Sequence, residues 1–314
     1  MTQYIIRRFI HAIFIVWGCA TIVFFMLRAV PGDPVAVMLG PEYTPEAAAQ
    51  LRKNLGLDRP IYVQYAKWFG NIARGDLGKS ITTSQPVTTI IRNALSKTLS
   101  ITLFAFLIGI IIAVPIGTLA ALKRGTAFDH IASISTFVGI SLPAFWFGIV
   151  FILIFAVKLG WLPSLGYVPI SEGVWPWFKH LILPGMAAGV GEAAILMRFV
   201  RAGMLEVLGS DYVRTARAKG LRERSVIIRH ALRNALTPVV TVAGLSLAAL
   251  IGGLVITETV FSIRGMGRVL VNAIFDKDYP VIQGGILLIA FVFVMANLIV
   301  DILYSFLDPR VRYG

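Results

Sequence analysis

Residues 211–238 read DYVRTARAKGLRERSVIIRHALRNALTP and carry seven Lys or Arg against two acids. Cations at that density face nucleic acid, lipid headgroups or acids on a protein partner. Nucleic acid fits poorly, because no aromatic series is present to stack bases and an apolar run bounds the stretch on either side. Other chemistry falls away on spacing. GDLGKS at 75–80 ends like a phosphate loop, but the pattern G-x-x-x-x-G-K-[ST] needs glycine where the chain has Ala73. His11, His130, His180 and His230 show no metal-ligand spacing, and no G-x-S-x-G elbow occurs. The single cysteine, Cys19, lies inside an apolar run and allows neither a disulfide framework nor a cysteine-based zinc site. The chain is therefore expected to be no enzyme and to hold no cofactor.

Three carboxylates lie in or near apolar runs. Glu192, in GVGEAAILMRFVR, is well inside one and either lines a polar path, pairs with an Arg or is bonded to a neighbouring helix. Glu258 and Asp301 lie near the ends of their runs, within reach of headgroups or water.

The elements that must position these groups are membrane helices. The 314 residues are 57% hydrophobic and 14% charged, with a mean hydropathy of +0.80, where a soluble domain would carry roughly a quarter charged residues. Apolar runs at Phe9–Leu27, Thr98–Leu122, Ile131–Val157, Leu181–Met197, Val239–Ile256 and Val281–Val300 approach the ~20 residues that cross a ~30 Å hydrocarbon core. The first follows Arg7 and Arg8 and is longer than a signal-peptide core, so it is expected to be retained. The expected fold is all-α, a polytopic membrane protein with six transmembrane helices. Residues 1–29 form the first helix, 30–97 an extracytoplasmic segment and 98–314 a five-helix core. A cytoplasmic loop at about 203–237 joins the fourth and fifth helices. Small residues four apart, as in Gly109/Ala113/Gly117, Gly185/Gly189 and Gly244/Ala248/Gly252, mark faces where helix backbones approach closely.

Charge sets the orientation. Fifteen Lys and Arg fall at the N-terminus, at 123–124, within 198–233 and in the tail DPRVRYG, against five in the two short opposite loops. Both termini and the basic stretch are thus expected on the cytoplasmic side. Within 30–97, PGDP at 31–34 punctuates the chain, a helix is expected at Pro45–Leu55, and apolar residues at 61, 65, 68, 69 and 72 suggest a second one packed on the membrane face.

In the basic stretch, Ser210 or Asp211 can cap a short helix that Gly220 ends. Small residues Thr215, Ala216 and Ala218 would let another surface come close, with Ala216 and Gly220 on one face. A second helix, about 222–236, sets Arg222, Arg229 and Arg233 opposite Leu221, Ile228, Ala231, Leu232 and Ala235, as in a helix lying at a lipid interface.

An Ala-x3-Gly at Ala216–Gly220, upstream of a proline entering the next span, resembles the cytoplasmic loop of binding-protein-dependent ABC importer permeases. Aligned on Gly220, the chain reads Arg214-Thr215-Ala216 where the general signature has Glu-Ala-Ala. PGDP, LGLDRPIYVQY, GDLGKS, SLPAFWFG, LGWLPSLGY, GMLEVLGSDYVRTARAKGL, TETVFSIRGMGR, DYPVIQGG and NLIVDILYSFLDPRVRYG run in order along the chain and are similar to the B-type permease of the peptide branch, shared by dipeptide, oligopeptide, glutathione and nickel importers. The resemblance implies a coupling helix in which Asp211, Tyr212, Arg214, Thr215, Ala216, Lys219 and Gly220 contact an ATPase subunit. It implies a homologous second permease, two ATPases that hold ATP and magnesium, and an extracytoplasmic substrate-binding protein, all at the bacterial inner membrane among lipid, with no nucleic acid. Phe145, Trp146, Glu192 and Glu258 are the candidate pathway residues. A self-sufficient secondary transporter or channel is the rival; it would show internal repeats and paired intramembrane charges, and neither is evident.

Overall fold

The computed structural model describes residues 2–29 and 34–307. Most of PGDP and the tail DPRVRYG lie outside them, as does the side chain of Asp301. Helix α1 (Thr2–Ala29) leads to α2 (Pro34–Leu39), α3 (Pro45–Leu55) and α4 (Ile61–Ala73). The long α5 (Val87–Leu122), α6 (Ala127–Ser141), α7 (Ala144–Phe151) and α8 (Val174–Leu208) follow. Then come α9 (Asp211–Ala218), α10 (Glu223–Ser225), α11 (Arg233–Gly253), α12 (Val255–Val260), α13 (Met266–Phe275) and α14 (Tyr279–Leu307). Among the described residues, five helices are long and apolar enough to cross a membrane, and a bent pair makes a sixth if it counts as one span.

That bent pair occupies the apolar run expected as one span at 131–157. Ala127–Ser141 and Ala144–Lys158 meet at 101°. Leu142 is extended (φ −90°, ψ 133°) because the ring of Pro143 disfavours helical backbone in the residue before it. The other spans are longer than their apolar runs: α5 begins at Val87 rather than Thr98, and α8 extends past Leu181–Met197 at both ends. Pro238 does not open the fifth span but lies inside α11, which continues α10 through a π-helical stretch, Val226–Leu232.

The α3 boundaries fall where expected, since each end is set locally. Thr44 Oγ1 accepts from Ala47 N (3.2 Å), Pro45 opens the first turn, and Gly56 (φ 68°) ends the helix in the left-handed region. Helix α4 packs against the end of α1: the Phe24 ring lies 5.2 Å from Tyr65 and 5.1 Å from Trp68, and Arg28 covers Phe24 while bonding Gln64.

The α5–α8 pair is the axis. A Cβ on Gly189 would fall 2.9 Å from the Ala105 carbonyl oxygen, and one on Gly117 would fall 2.9 Å from that of Met197. The first two small-residue stripes are thus contact faces, as expected. The third is half so: Gly244 and Ala248 are buried, whereas Gly252 is exposed with nothing near it. Around this axis, Ile101, Leu181, Leu183, Leu254 and Phe261 pack at one end, and Leu196, Val200, Met204, Ala231 and Ala235 at the other.

Gly189→Val should cost about 1–3 kcal/mol, because the new methyls meet backbone that cannot give way. Gly70→Ala, in the middle of α4 with open space around it, should stabilise by about 0.5–1 kcal/mol through helix propensity. Unfolding midpoints of the two variants in detergent check this; equal midpoints would contradict it.

Candidate functional site

The basic loop is built on a small apolar clasp. Val213 and Ala216, one turn apart on α9, are buried against Val226, with Val207 beside them. Gly220 (φ 75°) turns the chain back, and its N–H donates to Arg217 O at 2.9 Å. Arg217 then grips Glu223, Nη2 to Oε1 at 2.7 Å, closing the turn. Asn234 donates to the Tyr212 hydroxyl at 2.8 Å, tying α9 to the start of α11.

This geometry sorts the residues expected to meet a partner. Asp211, Tyr212, Arg214, Thr215, Lys219 and Gly220 are exposed. Ala216 is not: at 6% exposure it faces this chain's own valines, so the expectation that it shares an outward face with Gly220 is corrected. Apolar burial won over small-residue accessibility, since Val213 and Ala216 are the only inward positions the helix offers. The expected lipid-interface helix is also corrected in part. Arg222, Arg229 and Arg233 are exposed as expected, but Ala231 and Ala235 pack on α8, where a Cβ on Gly203 would fall 2.7 Å from Ala235 O.

Behind the loop sits a pair that the sequence reading missed. Arg201 near the end of α8 holds Asp129 at both oxygens, Nε to Oδ1 at 2.6 Å and Nη2 to Oδ2 at 2.8 Å, while Gly125 N donates to Oδ2 at 3.0 Å. This two-pronged bond fixes the 123–126 turn to α8 beside the basic loop. Its position just after KRG was the available signal.

Among the candidate pathway residues, Glu192 is 4% exposed in the middle of α8, its stem packed on Gly109. Its Oε1 has no hydrogen-bond partner among the described residues, and Ser246 of α11 is its polar neighbour. Phe145 and Trp146 start α7 after the corner and stay exposed on this chain. Glu258 is elsewhere: Thr98 and Gly109 mark the two carboxylates on α5, roughly 16 Å apart at ~1.5 Å per residue.

Glu258 reaches neither headgroups nor water; the structure corrects that expectation. It is fully buried. Its Oε1 accepts from Thr98 Oγ1 (2.6 Å) and its Oε2 from Arg268 N (2.8 Å), while Thr98 Oγ1 accepts from Met266 N (2.7 Å). The carboxylate thus caps the start of α13 and ties it to α5. Asp278 does similar work for the GDLGKS loop: Ser80 Oγ, Ile81 N and Thr82 Oγ1 all donate to it. The serine that would serve a metal ion in a phosphate loop is here a strut.

Both knots lie at the Val87 end of α5, and the Asp129–Arg201 pair lies at its Leu122 end. The loops sorted by charge to opposite sides are therefore at opposite ends of one helix.

Residues 113–313 match the family described as binding-protein-dependent transport system inner membrane component, and residues 1–102 match that family's N-terminal component. A probable peptide ABC transporter permease of Sinorhizobium fredii is 41% identical, with the whole of both chains covered. The dipeptide transport system permease DppB of Alkalihalophilus pseudofirmus is 43% identical, again over the whole of both chains. The oligopeptide transport system permease AppB of Bacillus subtilis is 39% identical on the same terms. A chain of the inward-facing MetNI methionine ABC transporter superposes with a TM-score of 0.59 at 19% identity, covering 72% of this chain and 100% of that one, a likeness of fold.

Glu258→Ala leaves the Thr98 hydroxyl and Arg268 N–H unpaired in the interior and should cost about 1–3 kcal/mol for each orphaned group. Glu258→Gln, which keeps an acceptor, should cost less. Thermal unfolding of the two variants in detergent checks the order, and an alanine variant as stable as wild type would remove the capping role.

Proposed function

The chain belongs to the family of binding-protein-dependent transport system inner membrane components, and from that premise we propose that it is a permease subunit of a peptide importer in the bacterial inner membrane. The observation that carries the reading is full-length similarity to relatives named as peptide, dipeptide and oligopeptide permeases. By this reading the chain forms half of a translocation pathway, beside a homologous second permease. ATP and magnesium belong to two partner ATPases, and a separate extracytoplasmic protein delivers the cargo.

The basic loop is the proposed ATPase contact. Its outward residues are Asp211, Tyr212, Arg214, Thr215, Lys219 and Gly220, and Ala216 supports them from below. The seat is stiff, because the valine clasp and the Arg217–Glu223 pair close the loop on itself. A push on α9 therefore passes to α8 and α11 instead of deforming the loop. Glu192 is the proposed polar point of the pathway, a buried carboxylate with an unpartnered oxygen at mid-helix.

The proposed orientation puts both termini and this loop in the cytoplasm. A reporter fused after Gly220 should read cytoplasmic, and one fused after Gly70 extracytoplasmic; a cytoplasmic signal after Gly70 would overturn the topology.

Gly220→Val forces a branched side chain into the left-handed region and adds bulk beside the contact. The variant should insert at normal membrane levels, yet recover markedly less ATPase on purification and support little peptide uptake. A loop that only touched lipid would tolerate the change, so wild-type values for both would sink the assignment.

A further inference from the structure

A cavity of about 360 Å³ opens between the start of α5, the GDLGKS loop and α13. It lies at the end of the bundle that the proposed orientation places outside. Its walls are not random in charge. Along α13 and at the residue that caps its end, Arg268, Asn272 and Asp276 line it at four-residue spacing, in the order cation, amide, carboxylate. Across the gap, Lys97 and Asn93 line it from α5, again cation then amide. The two cationic ends coincide, because Lys97 precedes Thr98, whose hydroxyl accepts from Met266 N at 2.7 Å. Arg264 joins them from the turn before α13. The side chains of Lys97, Arg264, Arg268 and Asp276 make no ion pair or hydrogen bond among the described residues, although the charge of Arg268 also acts on the buried Glu258 carboxylate. The neighbouring Asp278 is occupied by the GDLGKS loop.

We propose that this cavity is an outer subsite for a short zwitterionic peptide, with the peptide carboxylate at Lys97, Arg264 and Arg268 and its ammonium at Asp276. The proposal rests on the peptide-importer reading above. Its chemistry is complementary group by group. A peptide is an ammonium, one or more amides and a carboxylate in line, and the side-chain amides of Asn93 and Asn272 offer both donor and acceptor to the amides between. Guanidinium and ammonium groups bind a carboxylate through charge-assisted bonds. The size agrees as well: Asp276, at the end of α13, stands eight positions after Arg268, roughly 12 Å at ~1.5 Å per residue. An extended peptide of about three residues, at about 3.3–3.6 Å each, spans nearly that length. The walls are held rigid by the Glu258 and Asp278 knots, so the groups are placed before a ligand arrives.

The test uses the whole transporter complex in detergent, without its binding protein, and three probes: tri-alanine, its C-terminal amide and its N-acetyl form. Wild type should bind tri-alanine about tenfold more tightly than either blocked form, the ratio that ~1.4 kcal/mol of lost pairing gives. Arg268→Gln should lower the preference for the free carboxylate severalfold and leave the preference for the free amine. Asp276→Asn should do the reverse. No detectable tri-alanine binding to wild type, or variants that keep both preferences undiminished, would overturn the subsite. So would unchanged peptide preferences in Arg268→Gln with weakened docking of the binding protein, which would make the cations a protein contact instead. Uptake into liposomes with the binding protein present separates this failure from that of the importer reading. Wild type that imports tri-alanine but does not bind it alone loses only the subsite, whereas wild type that imports no peptide loses the reading beneath it.

Discussion

Backbone contact between α5 and α8 is the constraint on which the rest of the structure depends. In lipid, apolar side chains gain nothing by leaving one hydrocarbon environment for another, so helices associate through close packing. Glycines supply it here, placing Gly189 against the Ala105 carbonyl and Gly117 against that of Met197. The two helices have 36 and 35 residues, so each is over 50 Å long at ~1.5 Å per residue, against a hydrocarbon core of ~30 Å. The pair therefore projects beyond the membrane, and each projecting end organises a cluster of polar bonds. At one end, Thr98 of α5 meets Glu258 and Met266; at the other, Arg201 of α8 meets Asp129.

What the sequence made legible was local or periodic. Helix α3 carries its own start and stop in Thr44, Pro45 and Gly56, and the spans announce themselves by length of apolar run. The glycine stripes of α5 and α8 were legible for the same reason, since spacing along one helix reports one face. The 101° corner at Leu142 was not: Pro143 marks a break, but the angle depends on what α6 and α7 pack against. Asp129 and Asp278 were missed because their partners are remote, Arg201 lying 72 residues away and Ser80 198. Glu258 was misplaced for a related reason. Its position near the end of an apolar run suggested water, yet the chain turns back over it and fills both oxygens from α5 and α13.

The candidate loop shows the same division. Its charge, its capping residues and the turn at Gly220 could be read directly. The inward face could have been, for Val213 and Ala216 are the apolar pair one helical turn apart, with Ala218 off that face and exposed. Smallness at Ala216 was instead taken as room for a partner. In an eight-residue helix, two apolar positions one turn apart are what holds it to the protein, so whatever docks must use the remaining faces.

The proposed coupling is limited by where this chain can yield. A partner that binds α9 shifts the permease between states only if it binds one state better than the other. The Leu208 end of α8 resists local adjustment: Gly203 abuts the Ala235 carbonyl, and Arg201 holds Asp129 by two bonds. Force arriving at α9 must then move α8, α11 and the 123–126 turn as one body. Regular helical hydrogen bonding is already interrupted at the corner at Leu142 and in the π-helical stretches Ile152–Lys158 and Val226–Leu232, besides the single bonds lost at Pro115, Pro184 and Pro238 inside α5, α8 and α11. Two of these flank α7, whose Phe145 and Trp146 remain exposed on this chain. In that proposal, a rigid end at Arg201 and Gly203 joined to a broken span sends displacement toward α7, where the candidate aromatic residues lie, and leaves the knotted Val87 end of α5 and α13 in place.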